Sequence, residues 1–439
     1  MPKSASTLML RLLGSKAFMG ILAPLVAVFL AFVVSGVIIL LFIATYTLSD
    51  RDLDQLTEKG LPAELSAKLE GISGQVFPSR EAFLKRIEEI VGAEAAGVHG
   101  TTLADAALTR ENPVLVFGEI FKASLRDRNG WANVLYRATP LIFTGLAVAL
   151  AFQCGLFNIG GEGQMVIGGF ALTWVGFTLS GLPWFVHIPL CILAALAAGG
   201  LWGGIAGWLK ASRGVHEVVT TIMLNWIAVA LIQYLTMAYK PPESWIPHTF
   251  EVAKSAQLSR LWVYLNPLGI AFAKSNLLNT CVFIALAVVI LVGFLLKKTK
   301  IGYEIRAVGH NPGAAECAGI SVPRNTILAM ALSGALAGLV GVNQILGYRH
   351  RFRYGVMEGL GFDGIGVAFI GRNSPFGVVV AALLFGVLDQ GGLAIDVSTH
   401  VPREIVLVLK ATILIFVVLS TEITNRLVRR LQKREEARS

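Results

Sequence analysis

The stretch from Phe152 to Gln164 reads FQCGLFNIGGEGQ and decides the fold class. Its four glycines and four polar side chains interrupt long apolar runs, and no hydrophilic loop separates those runs. A membrane tolerates such a break only where the backbone is buried in protein or lines a cavity. We therefore expect a membrane protein in which this stretch lines a cavity. The alternative is a tight cytoplasmic hairpin that uses glycine as a helix cap.

The composition of the whole chain agrees with a membrane location. Of its 439 residues, 55% are hydrophobic and only 15% are charged, whereas soluble domains carry roughly 25% charged residues. The mean hydropathy is +0.67. These values exclude a soluble globular domain, a disordered chain, a collagen-like repeat and a small disulfide scaffold.

Uncharged runs long enough to cross a bilayer, which takes about 20 residues, recur along the sequence. The first, Ala17–Ser49, is longer than the core of a signal peptide and is expected to remain as a permanent helix. In Gly163–Leu209 the one ionisable residue is His187, and Pro183 divides the run into two helices. The other runs are Ala138–Gly161, Val218–Tyr239, Ser275–Leu296, Asn325–Tyr348 and, less regular, Gly364–Gly371, Asn373–Leu388 and Ile405–Thr421. The sequence predicts an all-α polytopic membrane protein with about ten transmembrane helices.

The basic residues indicate an orientation. They cluster at both chain ends and in the loops Lys210–Arg213 and Lys297–Arg306. Cytoplasmic segments carry such an excess of Lys and Arg, so we expect both termini on the cytoplasmic side of a bacterial plasma membrane. The stretch Tyr348–Tyr354 (YRHRFRY) is an exception, since its three arginines fall outside unless the helix count is wrong by one crossing. No basic patch is interleaved with aromatic residues, so nucleic acid is not an expected partner.

Four segments are predicted along the chain. They are a cytoplasmic N-terminus with the first transmembrane helix (1–49), an external insertion with an interfacial helix (50–137), the membrane core (138–421) and a basic cytoplasmic tail (422–439). Within the insertion, Phe83, Ile87 and Ile90 recur on one face of a helix. We expect the insertion to pack on the membrane part, and an interfacial helix to cover Val114–Val134 with Trp131 at the depth of the lipid headgroups.

The sequence patterns that mark enzymes are absent. There is no Walker A loop (GxxxxGK[ST]) for ATP and no HExxH, GxSxG or CxxC pattern. Gly359–Gly364 matches GxGxxG, but no strand precedes it, so a dinucleotide site is not expected. The seven histidines and four cysteines show no metal-binding spacing, and the cysteines are expected to be small buried hydrophobic residues. Gly203–Gly207 and Gly334–Gly338 have the spacing of close helix packing. We expect no cofactor, no metal and no enzymatic activity in this chain.

Polar residues inside apolar segments are energetically expensive and are therefore candidates for function. A second cluster, EVVTTIMLN from Glu217, places Thr221 and Asn225 on one helix face, where hydrogen bonding between helices is the alternative role. A third cluster, Gly359–Gly371 around Asp363, resembles the first, and paired Gly-broken spans point to an internal repeat with a central binding site. The candidates for a translocation path are Gln153, Asn158, Glu162, Gln164, Asn225 and Asp363.

The segment Gly302–Ile320, GYEIRAVGHNPGAAECAGI, lies between the sixth and seventh predicted helices on the cytoplasmic side. Pro312 can start a short helix there, and Gly319 can end it. The segment resembles the coupling segment (here 298–324) of the sugar and branched-chain amino acid permeases of ABC importers, and is most similar to the nucleoside permease subunit. ATPLIFTGLAVALAF from Ala138, GLFNIGGEGQ from Gly155, EVVTTIMLN from Glu217 and GFDGIGVAFIGRN from Gly361 extend the resemblance.

The resemblance implies a permease subunit of a nucleoside-type ABC importer with a type II fold. It also implies three protein partners: a second homologous permease subunit, a cytoplasmic ABC ATPase that binds the ATP, and an external substrate-binding protein. Glu304, Arg306, Asn311, Ala314, Ala315 and Gly319 would form the surface that contacts the ATPase. The insertion 50–112 is not covered by the resemblance. The alternatives are a sugar or branched-chain amino acid permease and an ion-driven secondary transporter, for which Asp363 and Asp389 are the candidate carboxylates.

Overall fold

The computed structural model describes residues 16–42, 44–59, 61–77, 79–110, 112–355, 357–399 and 401–436. Lys3 and Arg11, which belong to the basic cluster at the N-terminal end, lie outside the described residues. The chain forms two compact units. One comprises Met1–Ala123 and Gly391–Ser439, and the other comprises Ser124–Gln390. The second unit begins and ends earlier in the chain than the predicted core of 138–421.

The first unit begins with helix α1 (Lys16–Phe42), which is shorter than the predicted run Ala17–Ser49. Ala44–Thr47 forms a strand because these residues pair with two other strands, and because Thr and Tyr favour extended backbone. The elements that follow are β1 (Ala44–Thr47), α2 (Asp50–Glu58), α3 (Ala63–Leu69), β2 (Val76–Phe77), α4 (Arg80–Val91), α5 (Ala93–Ala107) and β3 (Leu108–Arg110). The strands form an antiparallel sheet in the order β2-β1-β3.

The insertion has a hydrophobic core of its own. Phe83 and Ile87 of α4 are fully buried, as the periodicity predicts, and Ile90 packs against the same core. Leu53 and Leu103 contribute from α2 and α5. Four helices and the sheet supply enough apolar side chains to bury one another, and the expectation that this segment packs on the membrane part stays a prediction.

The predicted interfacial helix Val114–Val134 is two helices rather than one. Helix α6 (Pro113–Leu125) ends before Asp127, and α7 (Arg128–Gln153) begins after it. The cause is local, since the Asp127 carboxylate accepts a hydrogen bond from the backbone N–H of Gly130 at 2.6 Å and caps α7. Trp131 lies in the first turn of α7 and is 47% exposed.

The second unit is built from the apolar helices. They are α7, α8 (Gly161–Thr178), α9 (Trp184–Arg213), α10 (Glu217–Ala238), the short α11 (Trp262–Leu265), α12 (Cys281–Lys298), α13 (Lys300–His310), α14 (Pro312–Cys317), α15 (Val322–Gly338), a π-helix (Val342–Arg349), α16 (Leu360–Ile370) and α17 (Pro375–Ser398). Helix α18 (Ile405–Glu436) belongs to the first unit. Three cysteines, Cys154, Cys191 and Cys281, are buried as expected, whereas Cys317 on α14 is exposed, contrary to the expectation.

Among the described residues, seven helices are long and apolar enough to cross a membrane. Helix α8 has 18 residues, and shorter apolar helices cover Leu360–Ile370 and Ile405–Ser420. The polytopic all-α fold is confirmed by the seven candidate spans and the shorter apolar helices of the described residues. Helix α16, with 11 residues, is only roughly 16 Å long and cannot cross alone a hydrocarbon core of about 30 Å.

Helices α9 and α15 approach so closely that only glycine fits between them. A Cβ atom on Gly334 would collide with the backbone oxygen of Gly199, and one on Gly338 would collide with that of Ala195. A Cβ on Gly207 would lie 2.9 Å from the Cα of Ile327. The prediction that these glycine spacings mark close helix packing is confirmed.

We predict that Gly334→Ala lowers the free energy of unfolding by about 1–3 kcal/mol, because the added methyl group forces α9 and α15 apart. Gly204→Ala is the matched control, since its Cβ would meet Ala331 at an ordinary 3.6 Å. Thermal unfolding in detergent measures both. Equal midpoints for the two variants would contradict the packing account.

Candidate functional site

The stretch that interrupts the apolar runs is a non-helical link between α7 and α8. Helix α7 ends at Gln153 and α8 begins at Gly161. Gly155 has a φ of +73°, a left-handed conformation that favours glycine, and it turns the chain away from α7. Gly309 of α13 packs against this turn, and a Cβ there would collide with the backbone oxygen of Gln153.

The side chains of Asn158 and Gln164 hold the link in place through hydrogen bonds. The Asn158 amide donates to Gln164 Oε1 at 2.8 Å and to Ser333 Oγ at 2.7 Å, and its oxygen accepts from Gly160 N and Gln164 Nε2. Ser333 Oγ in turn donates to the carbonyl of Ala147 at 2.6 Å. Asn158 is fully buried and uses both donors and both acceptors within the protein. These contacts join the link to α15 and α7.

Asn225 holds the start of α8 from the side of α10. Its Oδ1 accepts from Gly163 N at 2.8 Å, and its Nδ2 donates to the carbonyl of Ile159 at 3.0 Å. The side chain therefore binds backbone groups on both sides of the first turn of α8. Thr221, one turn earlier, is buried on the same face, as predicted, and packs against Gly160.

The Glu162 carboxylate connects the first and third sequence clusters. Its Oε1 accepts from Gly359 N at 2.8 Å, and its Oε2 accepts from Gly361 N at 2.9 Å. These N–H groups belong to the start of α16, where a helix leaves its first donors without intrahelical partners. Glu162 and Gly359 are 197 residues apart in sequence. The two Gly-broken segments thus meet, as a central site between paired segments requires, while the internal repeat itself stays a prediction.

A cavity of about 290 Å³ opens beside this junction. Four aromatic side chains line it, from Trp226, Phe352, Tyr354 and Phe362, and we call it the aromatic cavity. Its polar lining comes from Glu162, Asn225, Arg353 and Glu358. Burial raises the pKa of the Tyr354 hydroxyl, and the Glu358 and Glu162 carboxylates act in the same direction, so this group stays a neutral hydrogen-bond donor.

Of the six predicted path residues, Glu162 and Asn225 line the aromatic cavity. Asn158 and Gln164 lie in the wall behind it, bonded to each other. Gln153 lies elsewhere, since its amide donates to the carbonyl of Asn373 in the connection between α16 and α17. Asp363 is half-buried on α16 and is not among the lining residues.

Sequence reasoning missed the aromatic wall and the residues of the segment 352–358. Trp226 follows directly on the cluster that begins at Glu217, but an aromatic residue in a membrane helix gives no signal of its own. The YRHRFRY stretch did give a sequence signal, because three arginines at a predicted outer surface needed an explanation. The structure places Phe352, Arg353 and Tyr354 of that stretch at the cavity.

The segment 298–324 contains two short helices, α13 and α14, of which the sequence predicted the second. Helix α14 begins at Pro312, and Gly319, with a φ of +78°, follows its end. Asn311 caps α14 by accepting from Ala314 N at 3.1 Å. Ala314 is exposed, whereas Ala315 is buried against the protein.

Two of the predicted coupling residues are engaged within the chain. The Glu304 carboxylate accepts from the Asn325 amide at 3.2 Å and lies 3.8 Å from Lys300 Nζ. The Arg306 guanidinium donates to the carbonyl of Gly302 at 3.3 Å. The exposed residues of this segment include Ile301 and Tyr303 on α13, Ala314 on α14 and Gly319 after α14.

Comparison with known proteins gives consistent matches. A family model described as the branched-chain amino acid transport system permease component matches residues 130–418. The guanosine ABC transporter permease protein NupP of Bacillus subtilis is 39% identical over 69% of this chain and 82% of its own length. The glucose ABC transporter permease protein TsgB13 of Haloferax volcanii is 36% identical over 70% and 81%. The nucleoside ABC transporter permease protein NupB of Lactococcus lactis is 35% identical over 70% and 84%. No solved structure matches the chain.

We predict that Glu162→Gln lowers the free energy of unfolding by about 1–3 kcal/mol, because an amide has one acceptor oxygen for two N–H groups. Glu89→Gln is the control, since Glu89 is 51% exposed and pairs only with Arg86 on the surface. Thermal unfolding in detergent measures both variants. An unchanged midpoint for Glu162→Gln would show that the junction with α16 does not depend on this carboxylate.

Proposed function

This chain belongs to the branched-chain amino acid transport system permease family, whose members are the membrane-spanning subunits of ABC transporters, and on that premise we propose that it forms half of the translocation path of a nucleoside importer. It is a multi-pass membrane protein. The proposed location is a bacterial plasma membrane, with both termini in the cytoplasm.

The aromatic cavity is the observation that carries the choice of solute. A nucleobase is planar and stacks on aromatic side chains such as Trp226 and Phe362, and base–aromatic stacking contributes about 1–3 kcal/mol per base. The volume of about 290 Å³ is at the lower end of the range for small-ligand sites. Two of the three relatives described above are named for guanosine or nucleosides.

A second homologous permease subunit completes the path in this proposal. Trp226 is 69% exposed and Phe362 is 51% exposed, so the aromatic cavity has walls on one side and is open on the other. A facing subunit would close it. An external substrate-binding protein would deliver the solute to the closed path.

Energy enters through the ATPase partner, which binds the ATP, so this chain needs no cofactor. The exposed face of α14 is the proposed contact. A contiguous route leads from there, because Gly309 at the end of α13 packs on the turn at Gln153 that opens the broken segment. Glu162 and Asn225 then join that segment to the cavity. A contact that differs between ATPase states could in this way bias the cavity between two conformations.

A sugar is the second candidate solute, and the glucose permease relative supports it. Side-chain chemistry favours the nucleoside, because the aromatic cavity has more apolar ring surface than a polyhydroxylated solute uses. A branched-chain amino acid is the third candidate, named in the family description.

Uptake of radiolabelled guanosine by cells with and without this chain tests the proposal. We expect uptake to require the chain and to be inhibited by excess unlabelled nucleosides but not by glucose or leucine. Inhibition by glucose alone would replace the nucleoside with a sugar. Uptake that is unchanged when the chain is deleted would contradict the proposal.

We predict that Ala314→Glu lowers the uptake rate at least about tenfold while leaving membrane insertion intact, since a charge on the exposed face of α14 disrupts a packed contact with the ATPase. Ser212→Glu is the matched control, because Ser212 is exposed in the last turn of α9, within the predicted cytoplasmic segment Lys210–Arg213. Uptake and the amount of chain in the membrane are measured together. Full uptake by Ala314→Glu would exclude α14 as the contact.

A further inference from the structure

A second cavity, of about 270 Å³, lies in the same unit and shares Glu358 with the aromatic cavity. We call it the polar cavity, because its lining includes Tyr136, Gln344, Arg349, Glu358 and Asp389. Charges of both signs and neutral hydrogen-bonding groups face the same space. Such a lining suits a neutral solute with many hydrogen bonds, because an anion would be opposed by the carboxylates and a cation by the guanidinium.

The π-helix Val342–Arg349 builds one wall of the polar cavity. Helices of this kind are rare and frequently occur at functional sites. Asn343 holds it in place, since its oxygen accepts from Asn279 Nδ2 at 3.0 Å and its amide donates to the carbonyl of Tyr136 at 3.2 Å. Hydrogen bonds from i to i+5 bring residues five apart onto one face, and Gln344 and Arg349 have this spacing.

Two charged groups in the polar cavity form no hydrogen bond or ion pair with the residues that the structure describes. Among the described residues, the Arg349 guanidinium lies over the Tyr348 ring at 4.8 Å but forms no hydrogen bond or ion pair. The Glu358 carboxylate likewise accepts no hydrogen bond from the described residues, although it lines the same cavity. Gln344 is bonded through its oxygen, which accepts from Tyr136 Oη at 3.0 Å, so its amide N–H groups can serve a ligand.

Resting on the proposed function, we infer that the polar cavity is a second solute subsite, which binds the ribose hydroxyls of a nucleoside. Vicinal hydroxyls donate to a carboxylate and accept from guanidinium and amide N–H groups, and Glu358, Arg349 and Gln344 supply these partners. The aromatic cavity takes the base. Glu358 lines both cavities, so one solute passing the segment 352–358 contacts both kinds of wall.

The test compares guanosine with 2′,3′-dideoxyguanosine, which has the same base without the two ribose hydroxyls. Uptake rates are measured at saturating concentrations of each radiolabelled compound, where the binding protein is fully loaded and the rate reports the membrane step. We expect Arg349→Met to lower the guanosine rate about tenfold, as the loss of charge-assisted hydrogen bonds predicts, and the dideoxy rate less than twofold. Glu358→Gln is the second variant, and we expect it also to reduce the difference between the uptake rates of guanosine and 2′,3′-dideoxyguanosine.

Arg351→Met is the matched control, because Arg351 lies on the same Tyr348–Tyr354 stretch as Arg349 and lines neither cavity. We expect it to leave both rates unchanged. Equal losses of both rates in Arg349→Met and Glu358→Gln, or no loss in either, would contradict the ribose subsite while leaving the nucleoside function standing. If the unmodified chain supports uptake of neither compound, the proposed function fails and the inference fails with it.

Discussion

The Glu162 carboxylate is the interaction on which the central part of the structure depends. It receives the backbone N–H groups of Gly359 and Gly361, and so joins the start of α16 to the start of α8. Both helices begin inside the protein, where an unpaired N–H group is energetically expensive. One buried carboxylate satisfies two such groups and fixes two chain breaks that are far apart in sequence.

The polar side chains around this junction divide into structural and accessible groups. Asn158, Gln164 and Asn225 bind backbone or one another and hold the broken segment in shape. In the proposed function, recognition of the solute falls instead to the aromatic walls and to the segment 352–358, which line the cavity. In that proposal the helices define the space, and a connecting segment supplies groups that distinguish one solute from another.

Much of the fold could be predicted from the sequence, because apolar runs, glycine breaks and charged ends each have a direct physical meaning in a membrane. The clusters at Glu162 and Asp363 were identified, and so was the short helix at Pro312. The partnership of Glu162 with Gly359 could not be predicted, since backbone donors leave no trace in the sequence. The π-helix at Gln344 could not be predicted either, because its residues fit an ordinary α-helix equally well.

The same limit applies at the edges of the apolar runs. Ala44–Thr47 continues an uncharged run and was predicted as helix, yet it pairs with the strands Val76–Phe77 and Leu108–Arg110 further along the chain. Gln153 lies beside the glycine break and was predicted as a path residue; its amide donates to the carbonyl of Asn373, away from the aromatic cavity, and its place in the path stays a prediction. In both cases a long-range partner leaves no trace in the local pattern.

Purification of the tagged chain from its native membranes in a mild detergent, followed by mass spectrometry of the proteins that accompany it, tests the central claim most directly. The account predicts a stoichiometric ATPase with a Walker motif and a second homologous permease. Recovery of this chain alone, together with solute uptake that collapses when ion gradients are dissipated, would contradict the account and establish an ion-driven transporter.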